Sequence, residues 1–101
     1  MDKTKINKNS QIEKLKPKIV DILKKKGIKK AGIFGSYARG EQKKGSDIDI
    51  LIEPPEGMGI EFFGLNLELE KELGLRVDLL TYNSINRHIK EYILADEVRI
   101  I

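Results

Sequence analysis

Between Gly45-Ser46 and Pro54-Pro55 lies the stretch Asp47 to Glu53, in which isoleucine takes every second position. Side chains of an extended strand point alternately to opposite faces. Ile48, Ile50 and Ile52 therefore share one face, and Asp47, Asp49, Leu51 and Glu53 share the other. This period of two predicts a strand with one buried face. The two prolines end it, because proline brings no N–H to a ladder.

The chain divides around this strand into short segments. Residues 1–9 read as a disordered start. Ser10-Gln11-Ile12-Glu13 fits a capping box that opens a helix, and Ile12, Leu15, Ile19, Ile22 and Leu23 recur at helical spacing as one apolar stripe. Pro17 falls inside this stretch, and a mid-helix proline removes a hydrogen bond and kinks the axis. The main helix is therefore expected to begin at Pro17. Gly27, after three lysines, is a stop signal. Lys29 to Phe34 is short, apolar and bounded by glycines, which predicts a strand. Gly35 to Gly40 reads as a turn into a short helix, and Lys43 to Ser46 as a polar loop. Ile60 to Leu73 predicts a helix stopped by Gly74, and Leu75 to Thr81 a third strand. Asn83 or Ser84 can cap a last helix running to about Leu94. Val98 to Ile101 suits a short strand or a docking segment. With no repeat and no linker, residues 1–101 are expected to form a single domain. Its class is α/β (α+β), a small mixed β-sheet with helices packed mainly on one face.

Composition removes several kinds of chemistry. The 101 residues include no cysteine, which excludes disulfides, thiolate metal sites and a cysteine nucleophile. No apolar run approaches the roughly 18 residues needed to span a bilayer. The N-terminus, MDKTKINKNS, lacks the apolar stretch of a signal peptide, so a cytoplasmic location is the expectation. Net charge is +3, unevenly spread: residues 1–30 hold eleven lysines against three acids. Such a basic segment can attract nucleic acid or an acidic partner. No aromatic residues alternate with these lysines, as stacking on bases would require, so a solvated helix face and frayed tail are the favoured reading.

The chemistry concentrates where the strands carry acids. Asp47 and Asp49 lie on one face, roughly 6.6 Å apart along the strand. Two unpaired carboxylates this close repel each other, and a divalent cation between them relieves the repulsion. An oxygen-only ligand set favours Mg²⁺ or Mn²⁺ over Zn²⁺. Asp78 stands among apolar residues in Arg76-Val77-Asp78-Leu79-Leu80. Burying such a charge is costly unless it is paired or coordinated. If its strand neighbours the first, Asp78 joins Asp47 and Asp49 around one or two metal ions. Otherwise Asp78 is an edge residue paired with Arg76. Gly35-Ser36, at the head of the short helix, offers close backbone approach, unpaired N–H groups and a hydroxyl to a phosphate. Arg39, one turn on, suits a phosphate or a salt bridge with Glu41 or Glu53. Tyr37 either stacks on a nucleotide or covers the sheet edge. Glu53 and His88 read as surface residues, and Phe62 and Phe63 as core or interface.

Gly35-Ser36, ten residues, then Asp47-Ile48-Asp49 resembles the signature of the nucleotidyltransferase superfamily that includes DNA polymerase beta. The stretch GSYARGEQKKGSDIDILIE, residues 35–53, is similar to its minimal branch, the small MNT proteins of prokaryotic toxin–antitoxin pairs. The resemblance extends from about residue 11 to 94. It implies that Asp47, Asp49 and Asp78 hold Mg²⁺ and that Gly35 and Ser36 grip the phosphates of an NTP, taken to be ATP. It further implies that Asp78 helps deprotonate an acceptor hydroxyl. The acceptor it implies lies on a HEPN-type toxin, neutralised by attached AMP. Two rival readings are an antitoxin that works by physical masking alone and a nucleic-acid-binding protein using the basic N-terminus. Self-association or association with a partner is compatible with the apolar helices and tail.

Overall fold

The structure, a computed structural model, describes residues 10–101. The expected disordered start at residues 1–9, and the Ser10 side chain of the expected capping box, lie outside the described residues. Helices α1 (Ser10–Lys25), α2 (Gly35–Arg39), α3 (Glu61–Leu73) and α4 (Arg87–Asp96) alternate with strands β1 (Ala31–Phe34), β2 (Ile48–Ile52), β3 (Val77–Thr81) and β4 (Val98–Arg99). A 3-10 turn, Tyr82–Ser84, joins β3 to α4.

The strands form one mixed sheet in the order β3-β2-β1-β4. β1 runs antiparallel to β2 and to β4, whereas β2 and β3 are parallel. Parallel neighbours need a crossover, and α3 supplies it. The tail expected as a strand or a docking segment is thus the strand β4, which covers the outer edge of β1.

The isoleucine face of β2 is buried as its alternation predicts. Ile48, Ile50 and Ile52 pack with Ile33 of β1 and Val77 and Leu79 of β3. Ile12, Ile19, Ile22 and Leu23 of α1 and Leu65 and Leu69 of α3 cover them. Two long helices therefore lie on one face, as expected. The opposite face is only partly solvated. Leu51 on the aspartate side is fully buried in a second cluster with Phe34 and Tyr82, covered by Leu80, Ile85 and Ile93. α4 thereby shields one corner of the second face and leaves the strand ends that bear the aspartates open.

Two boundaries differ from expectation. α1 does not begin at Pro17 but runs through it from Ser10. Pro17 removes the hydrogen bond to the Glu13 carbonyl, a loss of about 3 kcal/mol in a helix interior. Its ring faces solvent, and Ile12 on the preceding turn is buried. Burying one such side chain returns roughly 1.5–3 kcal/mol, and with Leu15 partly buried on the same stripe the packing before Pro17 is enough to offset the proline. The last helix is capped by neither Asn83 nor Ser84. Asn86 caps α4, its Oδ1 accepting from the His88 N–H at 2.7 Å. Ser84 is instead engaged with Thr81 in a reciprocal capping box on the 3-10 turn. Gly74 ends α3 in a left-handed conformation, φ 67°.

Candidate active site

β1 delivers the chain to the site. Phe34, its last residue, pairs with Asp49 of β2, and Gly35 follows at once. Gly35 has φ 74°, and a Cβ there would overlap the Asp49 carboxylate. Two separate constraints, backbone conformation and contact, thus require glycine at this position. No side chain at the N-cap, Phe34, bonds to the head of α2, and the N–H groups of a first helical turn have no partner within the helix. Ser36 lies in that turn, half-buried.

The parallel pairing of β2 and β3 sets Asp49 opposite Asp78. At this register the two carboxyl groups stand side by side on neighbouring strands. Partial burial, and then the charge and hydrogen bond of Asp78, push the Asp49 carboxyl up to about 6, with Asp47 adding to the repulsion. Asp78 itself is exposed and makes no ion pair with Arg76. Asp47 stands just before β2, its Oδ1 3.8 Å from Arg76 Nε. Among the described residues no three histidine, aspartate or glutamate side chains are gathered as metal ligands. The chemistry of the donor set nevertheless fits a hard divalent ion. All donors are carboxylate oxygens, and a carboxyl holding a proton near neutrality is where a cation can replace that proton.

Arg39 is engaged on both sides. Its Nε donates to Glu41 Oε1 at 2.9 Å and a terminal nitrogen to Asp96 Oδ2 at 3.2 Å. These bonds hold its pKa above the ordinary arginine value. Glu41 was a foreseen partner; Asp96 of α4 was not. The hint was on α4, where Tyr92, Ile93 and Asp96 recur at helical spacing. Together with Phe34, Gly35 and Arg39 they line a cavity of about 260 Å³ beside the Gly35 turn. Tyr37 is buried in the main core and covers the sheet rather than the turn. Glu53 and His88 are exposed, Phe62 packs on the core and Phe63 is exposed.

Paired carboxylates, a turn with free N–H groups and an adjoining cavity suit a phosphorylated ligand better than a hydrolytic nucleophile, since the described site offers no activated serine or histidine. The class that unites this small mixed sheet with such a site is the nucleotidyltransferases. The sequence profile of the Nucleotidyltransferase domain matches residues 16–101, and the chain belongs to that family. It is 52% identical over 91 residues to a candidate protein adenylyltransferase of Methanocaldococcus jannaschii, covering 89% of this chain and 98% of that one. A solved minimal nucleotidyltransferase superposes with TM-score 0.77 at 28% identity, covering 88% of this chain and 92% of that one. A Shewanella oneidensis complex of a tri-AMPylated HEPN toxin with its MNT antitoxin shares the fold, with TM-score 0.69 and 20% identity over 88% of this chain and 71% of that one.

Proposed function

We propose that this nucleotidyltransferase is a protein adenylyltransferase that moves AMP from ATP to a hydroxyl of a HEPN-type toxin and thereby neutralises it. The observation that carries the reading is the in-register Asp49–Asp78 pair beside Gly35. Asp47, Asp49 and Asp78 would hold Mg²⁺, or Mn²⁺, which when bound offsets the negative charge of the triphosphate and the carboxylates. Gly35 and Ser36 bind the phosphates through backbone N–H groups and the hydroxyl. Arg39 stands one turn on, where release from Glu41 or Asp96 turns it to the same anion. The acceptor oxygen attacks the α-phosphorus in line, the bond to the bridging oxygen breaks, and pyrophosphate departs. Asp78, on the outer strand and exposed, takes the acceptor proton. The similarity to the candidate protein adenylyltransferase supports a protein acceptor. The AMPylated complex suggests the toxin as partner, with the fold as the only bridge to it.

The test is incubation of the purified chain with labelled ATP, Mg²⁺ and the HEPN-type protein that co-purifies from the native host. Label and a mass increase of one AMP are expected on the partner, and loss of both with Asp49→Asn or Asp78→Asn. A variant that still binds and fully protects against the partner without transferring label would establish masking and overturn the catalytic reading.

A further inference from the structure

β3 is the terminal strand of the sheet among the described residues, and its outer edge lies beside the site. The Ile48 N–H donates to the Arg76 carbonyl at 2.9 Å. In a parallel ladder this fixes the alternation: Asp78 and Leu80 turn their backbone groups to β2, while Val77, Leu79 and Thr81 turn theirs outward. Both ends of that outward row are already closed. The Val77 N–H donates to Glu70 Oε2 at 2.9 Å, and the Thr81 N–H to Ser84 Oγ at 3.3 Å. Leu79 between them has an outward N–H and C=O with no partner among the described residues. Two grooves meet along this edge. One, of about 420 Å³, holds Asp78, Asn66 and Leu67; the other, of about 380 Å³, reaches Gly59 and Ser84; Phe62, Phe63 and Leu79 line both. Phe63 and Leu67 are 68% and 65% exposed.

We infer that the β3 edge is the acceptor-docking site, receiving an extended segment of the acceptor protein as an added strand. The inference rests on the adenylyl-transfer reading and supplies the mode of acceptor recognition. An unpaired strand edge recruits an extended peptide through main-chain hydrogen bonds, and side-chain pockets select it. Pairing at Leu79 sets the incoming backbone one residue from Asp78, within reach of a hydroxyl side chain on the aspartate face. Phe63 and Leu67 receive the apolar residues on the other face. Charge defines the flanks. Glu61 reaches the second groove through its bond with the Gly59 N–H at 2.9 Å, and Asp78, with Asp47 and Asp49 on the neighbouring strand, lines the first. The complementary occupant therefore carries basic residues on either side of its hydroxyl.

The probe is a capped heptapeptide of alternating valine and threonine with a central tyrosine and an arginine at each end. Added to the ¹⁵N-labelled chain, it should protect the Leu79 amide from hydrogen exchange and accept AMP from Mg-ATP. Phe63→Ser/Leu67→Ser, at exposed positions that leave the core intact, should raise the peptide KM on the order of ten-fold with kcat little changed. N-methylation of the peptide residue facing Leu79 should do the same. Mg-ATP binding by the chain alone, measured calorimetrically, should be untouched by either change. If Mg-ATP binds and the peptide neither protects Leu79 nor accepts AMP, the edge is not the docking site, although the catalytic reading stands. Failure to bind Mg-ATP would sink the catalytic reading itself. Conversion of a dimer to a monomer by Phe63→Ser/Leu67→Ser would assign the surface to a second copy of the chain and overturn the inference.

Discussion

Gly35 and Asp49 act as a pair. Any side chain at residue 35 meets both a left-handed backbone and the Asp49 carboxylate. Gly35→Ala should destabilise the fold by about 1–2 kcal/mol from the backbone alone, with more from the overlap. Gly35→Ala/Asp49→Ala should recover the overlap part in urea unfolding while remaining inactive. Asp49 also gives the site a pH signature. Its carboxyl titrates near 6 in the folded chain and near 4 when unfolded. The folded state therefore holds the proton more tightly, and the stability this confers is complete below about pH 4 and lost as pH rises through 6. In chelator, wild type should lose stability relative to Asp49→Asn between pH 4 and 7. Above pH 6, Mg²⁺ should raise the Tm of wild type and leave that of Asp49→Asn unchanged. Gly35, Ser36, Asp47 and Asp49 are all recognisable in the sequence because they lie within one short segment. The bonds of Arg39 were only half legible: Glu41 is two residues away, but Asp96 is joined to it only by the fold.

The strand elements were the most readable. Alternation in β2 identifies the buried isoleucine face, since one-residue slippage would expose all three. The same pattern says nothing of what covers the other face, so the burial of Leu51 under Phe34 and Tyr82 had no sequence signature. Helix starts were less legible for a different reason. Local rules put a start at Pro17, whereas packing on both sides of it decided otherwise. Pro17→Ala should restore the missing bond and stabilise α1 by up to about 3 kcal/mol, seen as a higher urea midpoint. At the far end of the sheet, the Tyr82 hydroxyl donates to Glu97, whose carboxylate lies over Gly32. Lys30 sits 4.4 Å above the Tyr82 ring. Burial and the Glu97 bond keep this phenol protonated well above its ordinary range. Tyr82→Phe leaves Glu97 without its donor and should lower stability by about 1–3 kcal/mol, measured by thermal unfolding with the active site unaltered.

The order of strands, more than any one element, makes the molecule what it is. β2 sits inside, flanked by β1 bringing the glycine turn and β3 bringing the third aspartate. The sequence announced three strands and their acids; the neighbourhood of β2 and β3 was a condition, and the parallel register meets it. β4 protects the β1 edge, with Ile100 buried behind it. Removing residues 98–101 should expose that edge and produce concentration-dependent association in sedimentation, whereas the full chain should show none at that edge. Among the described residues no helix is long and apolar enough to cross a membrane.

Because Asp49 and Asp78 meet only when strands on either side of α3 have closed together, a half-folded chain has no partial competence. If this pair holds nucleotide as proposed, only molecules that have finished folding can capture it. Ligand would then report on, and select for, the completed population: a titration of ATP against the melting curve would be at once an assay of the pocket and a census of correctly assembled protein.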